Sequence, residues 1–220
     1  MTDNLHRPNG STPQHTSQEA IARRADSRRK EGLRSTISTV AVLLTAPLIA
    51  VFLTVFVFQS YQVDGQSMES TLSHNDRLIV WKLPKTWSKI TGHNYIPKRG
   101  DVVVFVEPGL AKFGQDPEKQ LIKRVVGLPG ERVVVNDGTL TIYNDEHPEG
   151  FQPDKELPYG DVIPDTPIDG DWAVDENELF VVGDNRGNSL DSRTFDAIEA
   201  KNVVGKLIIR VLPLGNLKKF

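Results

Sequence analysis

No Asp, Glu, Lys or Arg occurs between Arg34 and Asp64, and inside that interval residues 37–58 read ISTVAVLLTAPLIAVFLTVFVF. No other stretch restricts the fold so strongly. These 22 residues cover about 33 Å at helical rise, enough to cross the hydrocarbon core of a bilayer. A buried helix of a soluble domain needs no such length. Pro47 in the middle is tolerated in a membrane helix, with a kink as the expected consequence. A cleaved secretion signal is the serious alternative. Its apolar core runs to about 7–15 residues and ends at a small-x-small site. Here the core is longer, and the following QSYQVDG holds no Ala-x-Ala. The run reads as an uncleaved anchor over residues 35–59.

Charge orients it. Residues 1–34 carry seven Lys/Arg against four Asp/Glu, which leaves 19 basic and 25 acidic residues in the remainder of the 220. A basic flank stays on the cytoplasmic side, so residues 1–34 are expected in the cytoplasm and residues 60–220 outside a plasma membrane crossed once. The cluster RRADSRRK is therefore read as a topogenic signal, not a nucleic-acid patch, and a net charge of −3 gives no global reason to expect nucleic acid. The tail has too few large apolar residues to offset the entropy of ordering and is expected to be disordered. Cysteine is absent, which excludes disulfides, thiolate nucleophiles and cysteine-ligated metals.

The outer part is expected to be mainly β. DRLIVWKL (76–83), DVVVFV (101–106), LIKRVVGL (121–128), ERVVV (131–135), TLTIY (139–143), LFVVGD (179–184) and VVGKLIIRVL (203–212) are short, rich in Val and Ile, and bounded by Gly, Pro, Asn and Asp. The Asp-Gly between ERVVV and TLTIY predicts a tight hairpin. Residues 144–171, with five prolines, are expected to be loop, and a short turn is expected near 196–200. The domain reading is tail 1–34, one transmembrane helix 35–59, and a β domain 60–220.

Chemistry is sought first in VDGQSMESTL (63–72), which places Ser67, Ser70 and Thr71 just after the anchor. A serine needs a base to become a nucleophile. His6 and His15 lie in the tail, and His74, His93 and His147 sit in polar, turn-like contexts without a companion acid at a telling spacing. Metal chemistry has little to use: there is no HExxH, and DNRGNSLD lacks the calcium-loop glycine at its sixth position and has Phe195 where the bidentate acid would stand. The other base is lysine, which must be neutral near operating pH; burial lowers its pKa toward that range. Lys123 lies in LIKRVVGL, where strand alternation puts it on one face with Leu121 and Val125, and Ile122, Arg124 and Val126 on the other. A lysine on a strand commonly reaches solvent instead.

Taken together, the anchor, G-x-S-M-x-x-T-L, KRGDVVVF (98–105), IKRVVGLPGE (122–131) and GDNRGNSLDSR (183–193) resemble, in order and content, bacterial type I signal peptidases. Those are membrane-bound serine–lysine endopeptidases, and the likeness is to a short, Gram-positive-like form. The resemblance implies a β catalytic domain of that type and cleavage of exported preproteins after a small-x-small (Ala-x-Ala) site. It implies Ser67 as nucleophile, Lys123 as general base, the Ser67 backbone N–H in the oxyanion hole, and Ser189 orienting the lysine. Arg124, Asp184, Asp191 and Arg193 match residues that brace the site, and Tyr61, Val63, Met68 and Ile122 match substrate-pocket positions. No cofactor and no metal are implied. The implied partners are signal peptides, membrane lipid and the export translocon, not nucleic acid. Two positions depart from the usual pattern: Ser70 stands where many members have proline, and Gly65 where some have an oxyanion-donating serine, so the second oxyanion donor is unassigned. A catalytically silent relative that assists surface-protein or pilus assembly is the alternative. A soluble self-cleaving serine–lysine repressor is opposed by the anchor. Trp81 and Trp87 suit either a lipid interface or the core.

Overall fold

The computed structural model describes residues 38–82, 86, 91–92, 94–159 and 163–220; the basic tail, Trp87 and His93 lie outside the described residues. The chain divides into two compact units, one ending at Val51 and the other spanning Phe52–Phe220. Among the described residues a single 20-residue helix, Ser38–Val57, is long and apolar enough to cross a membrane. It exposes Val42, Leu43, Leu48 and Ile49, among others. An apolar surface on every side is what a helix solvated by lipid requires. Its last five residues, Leu53–Val57, are π-helical, and Phe58 passes straight into a strand with extended backbone.

Among the described residues eleven strands follow: β1 (Phe58–Gln62), β2 (Arg77–Trp81), β3 (Val102–Val106), β4 (Gln120–Gly127), β5 (Arg132–Asn136), β6 (Thr139–Tyr143), β7 (Gly170–Ala173), β8 (Glu178–Val182), β9 (Ile198–Glu199), β10 (Val203–Leu212) and β11 (Lys218–Lys219). They form an antiparallel sheet ordered β1-β2-β10-β3-β4-β8-β9, with β11 also on β10, and a smaller sheet ordered β6-β5-β7. Each of the seven runs singled out in the sequence contains or overlaps a strand. β1, with its polar FQSYQ, was not among them, nor were β7, β9 and β11. The hairpin between β5 and β6 turns on Asp137 and Gly138, both at positive φ (48° and 77°), the combination a type I′ turn demands.

Three apolar clusters hold the second unit together. Val103, Phe105, Val125, Leu179 and Val181 fill the first. The second joins the sheets, packing Val126, Phe180 and Val182 against Val133, Val135, Leu140 and Ile142. Val63, Met68, Leu72, Leu78, Val102 and Leu207 make the third, directly under the serine-bearing turn. Each fully buried side chain of this size contributes about 1.5–3 kcal/mol. Alternation along β4 distributes its residues as its sequence predicts. Leu121 packs on the first cluster with Val125, whereas Ile122 goes to the third and Val126 to the second. Lys123 and Arg124 therefore sit as adjacent buried cations on opposite faces of a central strand, and such charges persist only with dedicated partners.

Local details differ from expectation in two places. The short turn predicted near 196–200 is replaced by two that flank β9: one helical turn at Ser192–Phe195, which the Asp191 carboxylate caps by accepting from the Arg193 N–H, and a 3-10 turn at Ala200–Asn202. The predicted loop 144–171 contains a helical turn at Pro153–Glu156 and a bridge from Phe151 to Ile142, and it ends in β7.

Candidate active site

The chain leaves β1 and bends at Gly65, whose φ of +109° suits glycine. It then tightens into a turn in which the Leu72 N–H donates to Met68 O at 2.8 Å and Glu69 N–H to Gln66 O at 3.1 Å. The Glu69–Ser70 peptide is cis. Met68 and Leu72 plunge into the third cluster and fix the turn from below, while Ser67 faces a cleft of about 770 Å³.

Loop 183–191 clasps this turn from the side. The Asn185 N–H donates to Ser67 O at 3.0 Å and the Asn185 amide to Gln66 O at 3.1 Å. The approach is so close that a Cβ on Gly183 would lie 2.2 Å from Ser189 Oγ and 2.4 Å from Ser67 O. Only glycine fits. The loop is itself braced from within: buried Asp191 accepts from the Gly183 N–H at 3.0 Å and from Arg193 Nε and Nη2 at 2.9 and 2.8 Å. Arg193 also donates to Arg186 O, and Arg186 is fully buried on Asp154 and Thr166.

From β4, Lys123 reaches the same cleft. Its Nζ lies 2.7 Å from Ser67 Oγ and donates to Ile122 O at 3.0 Å, and the residue is only 3% exposed. Burial pushes the amine down to about 8 from its ordinary 10.5, helped by nearby Lys119 and opposed by Asp191 and Asp184, which favour the ammonium. The pull of both carboxylates is blunted by their own cations. Arg124 grips Asp184 with Nε at 2.8 Å and Nη2 at 2.5 Å, and Arg193 grips Asp191. A hydroxyl and a desolvated amine in hydrogen-bond contact can exchange a proton.

The remaining candidates are placed as follows. Tyr61, Val63 and Ile122 line the cleft beside Ser67. Met68 does not line it: it is 1% exposed and belongs to the core, since the turn that presents Ser67 outward drives its neighbour inward. Ser189 Oγ is buried without a hydrogen-bond partner, so the orienting contact implied for it is not formed here and Ile122 O holds the amine instead. The Ser67 N–H donates to no protein acceptor among the described residues, whereas the Gly65 N–H is engaged by His74 Nδ1 at 3.2 Å. Gly183, Asn185 and Arg186 escaped the sequence reading. Gly183 and Asn185 stood inside a quoted block, but only the close approach of two loops far apart in sequence gives them a role. Among the described residues no group of three His, Asp or Glu side chains is placed to hold a metal ion.

The N-terminal half of β4 is paired on one side only. β3 covers residues 120–124, while β8 begins its pairing at Arg124. Residues 119–123 and 61–67 thus form two walls of the cleft. An extended chain laid between them has main-chain groups to bond.

A family model described as signal peptidase, peptidase S26, matches residues 36–212. A signal peptidase I of Leptolyngbya laminosa is 34% identical over 199 residues, covering 88% of this chain and 85% of the relative. A signal peptidase I of Bacillus licheniformis is 30% identical over 184 residues, covering 82% and 90%. Signal peptidase I V of Bacillus subtilis is 35% identical over 158 residues, covering 68% and 83%.

Proposed function

The chain belongs to the signal peptidase family, peptidase S26, and from that premise we propose that it is a membrane-anchored endopeptidase working through Ser67 and Lys123. Its substrates are exported preproteins, cut after a small-x-small site where the signal peptide ends. The observation that carries this reading is the 2.7 Å contact between a hydroxyl on a cleft wall and an amine that is almost wholly buried. A solvated ammonium would be a poor base; burial supplies the neutral form.

The reaction runs in two halves. Neutral Lys123 takes the Ser67 proton as Oγ attacks the scissile carbonyl. The unpaired Ser67 N–H faces the developing oxyanion. The ammonium then returns its proton to the departing amine, leaving an acyl-enzyme. A water deprotonated by the again-neutral lysine hydrolyses the ester. The substrate lies extended as an added strand along the unpaired half of β4, which supports the same direction of approach for every preprotein. Tyr61, Val63 and Ile122 bound the apolar subsites that admit small side chains beside the scissile bond. The Arg124–Asp184 pair ties loop 183–191 to β4 and the Asp191–Arg193 pair braces that loop from within, with Ser189 against Gly183.

The test is processing of a preprotein with an Ala-x-Ala boundary by the purified chain. Ser67→Ala and Lys123→Met are each expected to abolish it with the domain still folded by circular dichroism, and chelators are expected to leave it unchanged. Cleavage that persists in either variant removes the assignment. A wild-type chain that binds the preprotein without cutting it would point to the assembly role instead.

A further inference from the structure

Lys123 and Arg124 are neighbours on β4 and point to opposite faces. The face that Arg124 occupies opens into a second cavity, of about 540 Å³, within the range of small-ligand sites. Five cations line it: Arg99, Arg124, Lys206, Lys218 and Lys219. Three of the five are paired, Arg99 with Glu131, Arg124 with Asp184 and Lys206 with Asp101, which leaves the two lysines of β11 as the positive excess of the lining.

The cations are of two kinds. Arg124 is locked by Asp184 and by Gly100 O, with the Tyr159 ring stacked 4.3 Å from its guanidinium carbon. Lys206 is tied to Asp101 at 2.7 Å. These fix one wall. Lys218 and Lys219, on β11, enter no ion pair among the described residues; Lys218 Nζ lies over the Phe220 ring, 5.4 Å from its centroid, a weak contact that leaves both exposed ammonium groups able to close on a guest. Converging like charges repel unless an anion sits between them. A tetrahedral oxyanion, with acceptors in several directions, suits cations arriving from β4, β10 and β11 better than a flat carboxylate does.

We propose that this cavity binds a phosphate group. The group comes either from a soluble phosphate or from an anionic lipid headgroup; Leu214 and Leu217, 74% and 59% exposed, stand just before the two lysines and offer acyl chains an apolar neighbour. The inference does not rest on the proposed cleavage chemistry, and Arg124, which lines this cavity, also braces loop 183–191 beside the cleft.

The experiment uses the full chain in neutral detergent micelles at constant ionic strength, with lysine acylation read residue by residue by mass spectrometry. Three probes are added separately: inorganic phosphate, dihexanoylphosphatidylglycerol, and zwitterionic dihexanoylphosphatidylcholine as control. Labelling of Lys218 and Lys219 is expected to fall in proportion to occupancy, while exposed Lys112 and Lys155 on other elements stay unchanged. Protection by inorganic phosphate supports a site open to solutes. Protection by phosphatidylglycerol alone supports a lipid-headgroup site. The double variant Lys218→Glu/Lys219→Glu is expected to weaken calorimetric binding of the protecting probe by about tenfold or more. Protection by neither anion, equal protection by phosphatidylcholine, or undiminished binding in the double variant overturns the proposal.

Discussion

A buried amine on a strand costs stability wherever it is charged, and that cost is what makes Lys123 suitable as a base. With its pKa near 8, about a tenth of the amine is neutral at pH 7 and about nine tenths at pH 9. The proposed reaction needs the neutral form, so kcat/KM on a signal-peptide substrate should rise about tenfold between those pH values and then level off. Lys119 contributes to the lowering, so Lys119→Glu should move the midpoint of that profile to higher pH. A flat profile across pH 7–9 would count against a lysine base. The stability consequence has the opposite face. A lysine whose folded pKa lies below its unfolded value makes folding least favourable where both states are protonated, below about pH 8, and the penalty disappears as pH rises past about 10.4. It amounts to roughly 3 kcal/mol before the lost contacts with Ser67 and Ile122 are counted. Lys123→Met should therefore raise the thermal midpoint of the protein at pH 7 while destroying activity, and the gain should shrink at pH 10. A variant less stable than the parent at pH 7 would show that the amine is not desolvated as described.

Elements far apart in sequence meet at one point here, and Gly183 marks it. The loop after β8 comes so close to the serine turn that an added methyl would overlap Ser67 O and Ser189 Oγ. Gly183→Ala must push the turn away from β4, and a displacement of about 1 Å at reacting groups costs about a hundredfold in rate. The expected result is a fall of that order in kcat with far-ultraviolet circular dichroism unchanged; full activity would mean that the clasp does not position the serine. This meeting point explains what the sequence could and could not disclose. VVVFV and LIIRVL are dense in β-branched residues and read as strands wherever they stand. FQSYQ carries no such signal and becomes β1 only because β2 pairs with it, from Phe58↔Trp81 to Gln62↔Arg77. Period-two alternation put Lys123 on the face of Leu121 and Val125, which is where both are found, but no periodicity indicates that the amine meets a hydroxyl 56 positions earlier. Only the resemblance of whole blocks joined those two. Arg186 stayed hidden for the same reason: its partners Asp154 and Thr166 lie in a segment without periodic pattern.

For the molecule as a whole, the proposed chemistry is useful only on the side of the membrane where signal peptides emerge. Ser67 follows Phe58 by nine residues, so even a fully extended chain keeps it within about 30 Å of the end of the apolar helix. A signal peptide is held in the bilayer by its own apolar core, as the helix Ser38–Val57 is proposed to hold this chain. Confining enzyme and substrate to one surface raises their effective concentration without any new contact. The arrangement works in one orientation alone, and the seven basic residues before the helix are what would set it. In spheroplasts of cells producing the chain with an epitope at its N-terminus, external protease should digest the part beyond the helix and leave a protected fragment that still carries the epitope. Replacing Arg23, Arg24, Arg28 and Arg29 by Glu removes the basic excess and should yield a population with the opposite protection pattern and a matching loss of preprotein processing. Digestion of the epitope in intact spheroplasts of the parent would place the cleft in the cytoplasm, where no emerging signal peptide could reach Ser67.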